Sequence, residues 1–305
     1  MKRFQSKTAG VINSADLKTF KGKFVYWTFF TVLMIICVIC VLPYIWALLS
    51  GFKGSQEIYT GVNFFPKDLT WSTAWERIKE ASDVLNFWYA SLNSILLALG
   101  KIVFVIVIDG LGGYVLSRLK PRGIKFLFAL IVWTMMMPAQ IRTVPYFISL
   151  LNFPFVAETP WEVSLLNTFW PMVISAASSA FNVILFKNHF DSISISYIEA
   201  ARIDGCGNGR IFFSIMMPLS VPIMIYVAIT LTKAAFSEFF MPYLVLTNEE
   251  LQTLPVKVFM LRNDGTIKMN TSMLALAISS LPGLLLFALF QKHIMGGVNV
   301  GGVKE

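Results

Sequence analysis

Six apolar stretches, each long enough to cross a bilayer as a helix, dominate this sequence of 305 residues. A transmembrane helix needs about 20 mostly apolar residues. The stretches cover residues 24–49, 89–117, 124–146, 166–187, 215–246 and 271–291. Only 14% of the residues are charged, whereas soluble domains carry about 25%. The sequence therefore predicts an all-α, polytopic membrane protein with six transmembrane helices.

These stretches also divide the chain into segments. The predicted order is an N-terminal tail (1–23), a first transmembrane helix (24–50), an external loop (51–88), a core of five helices (89–294) and a C-terminal tail (295–305). Within the core, residues 188–214 form a loop on one side of the membrane and residues 247–270 a loop on the other.

The distribution of basic residues predicts the orientation. With both termini in the cytoplasm, the inner segments hold 15 Lys and Arg residues and the outer segments hold seven. Acidic residues have the opposite bias, with five inside and ten outside. Basic residues are retained on the cytoplasmic side of membrane proteins, so we expect both termini and the loop 188–214 to be cytoplasmic. The net charge of +8 is explained by this bias and predicts no binding to nucleic acid.

The loop 188–214 contains a polar segment, YIEAARIDGCGNGR, that is unusual in so apolar a chain. Ser192 or Ser194 can cap a helix over 195–204, and Gly205 is a natural stop because helices often end on a left-handed residue. One face of this helix combines two alanines with two polar residues, namely Tyr197, Ala200, Ala201 and Asp204. Such a face of low relief suits close docking of another protein, although an ordinary solvated loop is the alternative.

The same segment resembles a known signature. Glu199-Ala200-Ala201, then Gly205 and Ile215-Met216-Met217-Pro218, resemble the EAA motif of ABC-importer permeases, which usually has Leu in place of Met217. Asn93-Ser94, Tyr114, Arg118 and the sequence TMMMPAQ resemble the carbohydrate (MalG-like) branch of these permeases. The resemblance covers about residues 25–305 and implies a MetI/MalG-like permease core.

The resemblance further implies a set of partners in a bacterial or archaeal cytoplasmic membrane. They are a second, MalF-like permease subunit, two ATPase subunits that bind ATP and Mg²⁺, an extracytoplasmic sugar-binding protein and the lipid bilayer. No cofactor is expected in this chain itself, which lacks a GxxxxGK[ST] phosphate-binding loop. The implied function is that of a sugar-importer permease rather than an enzyme, with import of a polyol or glycerol phosphate as the alternative.

Two groups of site residues follow from the resemblance. The surface that docks on the ATPase comprises Glu199, Ala200, Ala201, Asp204 and Gly205. The tip of the loop 247–270, which approaches the binding protein, is Asn263-Asp264-Gly265, a triplet typical of turns.

Ionisable residues inside the spans are functional candidates because charges are costly in the membrane. Lys101 and Asp109 lie in the second span and Glu238 in the fifth, where Phe236-Ser237-Glu238 keeps only the acid of the Trp-Asn-Asp or Trp-Asn-Glu of related permeases. These groups either pair with the second permease subunit or line a water-filled path, and we favour structural pairing.

Two other classes of protein are less well supported. A membrane enzyme would need convergent catalytic residues, yet the sequence has no GxSxG, no HExxH and no metal-ligand cluster. A secondary transporter would be expected to show inverted repeats with matching broken helices, and no clear internal repeat is present.

Overall fold

The structure is a computed structural model that describes residues 19–60, 63–151 and 164–295. These residues form helices joined by turns and loops, and no strand occurs among them. The helices are α1 (Phe20–Gly51), α2 (Ser55–Thr60), α3 (Trp71–Leu85), α4 (Phe87–Tyr114), α5 (Ile124–Met136), α6 (Ala139–Leu151), α7 (Trp170–Ala176), α8 (Ala180–Ser192), α9 (Ser196–Ile203), α10 (Asn208–Ile211), α11 (Met217–Leu219), α12 (Val221–Ala235), α13 (Phe240–Val245), α14 (Leu254–Asn263) and α15 (Met269–Met295). Two π-helical turns, Val115–Leu119 and Phe212–Met216, continue α4 and α10. The predicted tails, 1–23 and 295–305, fall almost entirely outside the described residues.

The apolar helices confirm the all-α membrane class. Three of them, α1, α4 with its π-helical turn, and α15, are long and apolar enough to cross a membrane unbroken. Three further spans are pairs of helices bent at a short break, by 104° between α5 and α6, by 46° between α7 and α8, and by 76° before α12. The described chain thus has up to six spans, three of which are broken where the sequence predicted single helices.

Proline and serine account for the breaks. Pro138 lies between α5 and α6, while Pro218 and Pro222 flank Ser220, where α11 ends and α12 begins. Proline removes a backbone donor and clashes with the preceding turn. At the third break the side chain of Ser179 caps α8 by accepting a hydrogen bond from the backbone N–H of Asn182, at 3.4 Å.

Some predicted boundaries were wrong. The fifth span, predicted over 215–246, begins earlier with α10 and ends at Ala235, because a turn separates α12 from the short helix α13. The segment 247–270, predicted as an external loop, contains the helix α14 in its middle part. The segment 51–88, also predicted to be external, contains α2 and α3.

The chain divides into two compact units. The first comprises residues up to Ile78 together with Lys268–Ala277. In it, the end of α1 meets the beginning of α15, where the hydroxyl of Tyr44 donates to the carbonyl of Ala277 at 3.4 Å. The hydroxyl of Ser55 donates to the side-chain oxygen of Asn270 at 3.1 Å.

The second unit, Lys79–Ile267 and the chain from Ile278 on, is built around α4, which packs against α8 and α12. Gly113 allows α4 and α8 to approach each other closely. A Cβ atom at this position would lie 2.7 Å from Cβ of Phe186 and 2.8 Å from the backbone nitrogen of Lys187. The absence of a side chain therefore lets α4 and α8 touch through their backbones.

Candidate functional site

The helix α9, which carries the EAA motif, rests on the core of the second unit. Its residues Ile198 and Ala201 are buried, with 3% and 6% of their surface exposed. They join a hydrophobic cluster that includes the aromatic side chains of Tyr114 in α4, of Phe186 and Phe190 in α8, and of Phe212 in the second π-helical turn. The ring of Tyr114 lies 5.4 Å from that of Phe212 and 6.3 Å from that of Phe190, between centroids. This packing makes α9 an extension of the core rather than a free loop.

Both ends of α9 are defined by local hydrogen bonds. At the start, the Ser194 hydroxyl accepts a hydrogen bond from the backbone N–H of Ser196 at 3.4 Å, whereas Ser192 donates to the carbonyl of His189 instead. At the end, Gly205 has a φ of +79°. The backbone N–H groups of Gly205 and Cys206 donate back to Arg202 and Ala201, which is a Schellman motif. The predicted stop at Gly205 is therefore confirmed.

The outer face of α9 differs from the predicted face at one position. Glu199, Ala200, Asp204 and Gly205 are exposed, but Ala201 is turned into the core. Ala201 cannot contribute an exposed surface in this conformation, so it supports the face from below.

The most exposed apolar side chain on α9 is not among the predicted site residues. Ile203 is 86% exposed, and Tyr197 and Ile195 are more than half exposed. No clear signal in the sequence marked this position, because single exposed apolar residues are common on protein surfaces. The docking of this face on an ATPase remains a prediction.

The Arg118 side chain anchors the segment that leads into α9. Its guanidinium donates hydrogen bonds to the backbone carbonyls of Phe190 and Ile193, at the end of α8. Beside it, the Ser117 hydroxyl donates to a carboxylate oxygen of Asp191 at 2.6 Å. The π-helical turn at the end of α4 thus holds the end of α8, from which α9 departs after a short turn.

A cavity of about 440 Å³ lies among the broken helices of the second unit, within the range of about 300–1,000 Å³ that is typical of small-molecule sites. Its lining comes largely from the end of α5, the break between α7 and α8, and the end of α12 with the residues that follow it. Its polar lining includes Lys101, Arg142, Ser175, Ser178, Asn182 and Glu238. The helix breaks therefore bring polar groups together at one place along otherwise apolar spans.

Two of the predicted intramembrane residues pair with each other at this cavity. Nζ of Lys101 lies 3.1 Å from Oε2 of Glu238, and both side chains line the cavity. Asp109, by contrast, is absent from the lining. It is 1% exposed and lies against the side chain of Asn182 and the backbone of Ser179. The pairing partner of Lys101 is therefore in this chain, and a contribution of these residues to a transport path remains a prediction.

At the other end of α4, the Asn93-Ser94 pair holds the segment that precedes α14. The Asn93 side-chain amide donates to the carbonyls of Glu250 and Gln252, at 2.7 and 3.1 Å. The hydroxyl of Ser94 accepts the backbone N–H of Leu254, the first residue of α14, at 3.0 Å. These hydrogen bonds give the Asn93-Ser94 motif a structural role, which its resemblance to related permeases alone did not indicate.

The predicted tip residues Asn263, Asp264 and Gly265 form an exposed turn at the end of α14. The hydroxyl and the backbone N–H of Thr266 donate to Oδ1 of Asp264, at 2.6 and 2.9 Å. These hydrogen bonds hold the pKa of Asp264 below its usual range, so the tip carries a negative charge at neutral pH. Contact of this tip with a binding protein remains a prediction.

An aromatic stack connects α14 to the cavity wall. The ring of Phe259, one turn before Asn263, lies 4.5 Å from that of Phe239, with an angle of 22° between the planes. Phe239 directly follows Glu238, so the helix that leads to the tip packs beside the residue that pairs with Lys101.

The second unit combines bent spans around a polar cavity with an exposed helix that is fixed between two of those spans. This combination is typical of a membrane permease. The chain belongs to the family of binding-protein-dependent transport system inner membrane components, whose sequence profile matches residues 110–299. Members of this family are transport subunits rather than enzymes, and ATP hydrolysis belongs to separate subunits.

Curated relatives are similar over nearly their whole length. The chain is 27% identical to the probable ABC transporter permease protein YurM of Bacillus subtilis, with 94% of this chain and 90% of the relative covered. It is 28% identical to the trehalose/maltose transport system permease protein MalG of Thermococcus litoralis, with 90% and 94% covered. It is 26% identical to the arabinooligosaccharides transport system permease protein AraQ of Halalkalibacterium halodurans, with 88% and 93% covered.

A solved structure shares the fold. A chain of a bacterial ABC transporter that imports the acidic polysaccharide alginate superposes with a TM-score of 0.73 at 22% sequence identity. The superposition covers 90% of this chain and 98% of that one. The likeness supports the arrangement of helices described above.

Proposed function

We propose that this chain is one transmembrane half of an ATP-driven, binding-protein-dependent importer of mono- or oligosaccharides. The observation that carries the proposal is α9, an exposed helix that the core fixes between two spans and that presents Glu199, Ala200 and Ile203 outward. A rigid helix of this kind can transmit movement from a partner protein to the spans, whereas a flexible loop cannot.

The nature of the solute is inferred from the relatives and from the cavity. The names of similar permeases specify arabinooligosaccharides, starch degradation products, diacetylchitobiose, and trehalose or maltose. The hydroxyl and amide groups of Ser175, Ser178 and Asn182 in the cavity suit hydrogen bonding to sugar hydroxyls. A polyol or glycerol phosphate is the second candidate, favoured by the basic side chains of Lys101 and Arg142 in the same cavity.

The proposed assembly contains four kinds of partner in a bacterial or archaeal cytoplasmic membrane. A second, MalF-like permease completes the path, two ATPase subunits bind ATP and Mg²⁺ and dock on α9, and a sugar-binding protein contacts the tip at Asn263–Gly265. The lipid bilayer surrounds the spans. A solved bacterial alginate ABC transporter in complex with a periplasmic protein contains a chain that superposes on this one with a TM-score of 0.58. That complex supports the presence of such a binding protein.

The test is to co-express the chain with the transport proteins of its own cell, purify the complex and reconstitute it in vesicles. We expect an ATPase to co-purify and the binding protein to stimulate ATP hydrolysis. Glu199→Lys should abolish this stimulation, while Glu76→Lys, a reversal at another exposed acid, should leave it unchanged. A pure complex without an ATPase partner would refute the proposed function. Normal coupling in Glu199→Lys would refute only the role of that residue.

A further inference from the structure

Positively charged side chains outnumber negatively charged ones in the lining of the cavity. Lys101, Arg142 and Glu238 are its charged lining residues. Glu238 is already occupied by Lys101, which is 4% exposed and lies 3.1 Å away. Arg142 forms no ion pair with any described residue, so the lining carries one positive charge in excess. Asp109 is 1% exposed and lies behind the lining residues Asn182 and Ser179, so its carboxylate does not reach the surface of the cavity.

Arg142 is exposed near the start of α6, just after the break between α5 and α6, and a guanidinium that has no counter-charge in a membrane protein favours an anionic partner. Its planar fork of donors matches a carboxylate or a phosphate through two parallel hydrogen bonds. The rest of the lining suits the body of a small polar solute, with Ser175, Ser178 and Asn182 as hydrogen-bonding groups. Four methionines complete the wall and can adapt to different shapes, namely Met135, Met137, Met172 and Met241.

We propose that this cavity receives a solute that carries one negatively charged group, with Arg142 as the ionic partner of that group. The Lys101–Glu238 pair forms a fixed polar wall beside it. The proposal rests on the proposed function, because it takes the cavity as part of the transport path. It narrows the solute class to acidic saccharides or phosphorylated sugars and polyols.

The experiment measures binding to the purified transporter complex in detergent, without the binding protein, by saturation-transfer NMR. The probes are galactose, galacturonate and galactose 1-phosphate, which share a ring and differ in charge. We expect at least one anionic probe to bind about tenfold or more tightly than galactose, as charge-assisted hydrogen bonds imply. Comparison of galacturonate with galactose 1-phosphate shows whether the cavity prefers a carboxylate or a phosphate.

Variants separate a specific contact from a general attraction. Arg142→Gln should remove the preference for the anion, so that the anionic probes bind no more tightly than galactose, while Arg142→Lys should retain part of the preference. Arg262→Gln, at an exposed arginine on α14 outside the cavity, should have no effect. If Arg142→Gln kept the full preference, the assigned contact would be wrong.

The wild-type complex keeps the proposal testable if a variant does not fold. Equal binding of all three probes, or no binding of either anion, would overturn the inference. Loss of the second permease subunit from Arg142→Gln, without an anion preference in the wild type, would show that the arginine pairs with that subunit instead. ATP hydrolysis stimulated by the binding protein, measured on the same sample, tests the proposed function separately.

Discussion

Lys101 and Glu238 are separated by 137 positions in the sequence, yet their side chains form a 3.1 Å ion pair in the wall of the cavity. The lysine side chain is 5% exposed and the glutamate 43% exposed. The pair ties the middle of α4 to the segment after α12, so it links a continuous span to the end of a broken one.

The ion pair predicts a specific pattern of stability losses. Glu238→Gln leaves the buried Lys101 ammonium without its counter-charge. Breaking a fully buried pair costs about 3–5 kcal/mol, and the partial exposure of Glu238 should reduce this value. Lys101→Met with Glu238→Gln should recover much of the loss, because no charge is then left unpaired. Unfolding of the purified protein in detergent compares Glu238→Gln, Lys101→Met and the double variant. Simple additivity of the two single losses would contradict the pairing.

The contact between α4 and α8 predicts opposite outcomes for adjacent glycines. Gly113→Ala should destabilise the protein by about 1–3 kcal/mol, since the new methyl group would overlap Phe186 and the backbone of Lys187. Gly112→Ala is the matched control, because its Cβ would meet only the methyl groups of Val183 at 3.4 Å. Thermal unfolding in detergent compares the two, and equal stability of both variants would contradict the close packing.

The anchor at Arg118 predicts local loosening of α9. Arg118→Lys keeps the charge but cannot hold the carbonyls of Phe190 and Ile193 together, since lysine lacks the planar fork. We expect backbone hydrogen exchange over 196–203 to accelerate about tenfold, as loss of a charged hydrogen bond implies. The exposed Arg122→Lys is the control and should exchange like the wild type. Unchanged protection in Arg118→Lys would contradict the anchoring role.

The left-handed turn after α9 predicts a position-specific effect of alanine. Gly205→Ala should cost about 1–2 kcal/mol, because side chains strain a backbone with a φ of +79°. Gly207 has a φ of −74° and open space around it, so Gly207→Ala should be tolerated. Stability and ATP-driven uptake should both fall in the first variant only. Equal behaviour of the two variants would show that the turn does not depend on glycine.

Much of this architecture could be predicted from local sequence. Long apolar runs indicated the spans, and Gly205 correctly marked the end of α9. Prolines lie at two of the breaks, but the size of each bend depends on packing between distant helices and cannot be predicted from one segment. For that reason the end of the fifth span at Ala235 was missed.

For the site residues, too, the local sequence predicted some features, while others depend on contacts between distant segments. Helical spacing placed Ala200 and Ala201 side by side on one face, yet Ala201 is buried, because the aromatic cluster beneath α9 decides which residues face inward. The pairing of Lys101 with Glu238 could not be predicted, since nothing in either span specifies which distant residue lies opposite. The motif residues Asn93 and Arg118 were noticed, but their carbonyl partners emerge only from the fold.

Photo-crosslinking tests most directly whether α9 contacts an ATPase subunit, as proposed. A benzophenone side chain at Ile203, which is 86% exposed, should yield a covalent product with the ATPase in the assembled complex. The same group at Trp88, which is 76% exposed and lies at the predicted outer end of α4, should yield none. The contradicting result is a complex that retains ATPase subunits and hydrolyses ATP but forms no crosslink from Ile203 to them.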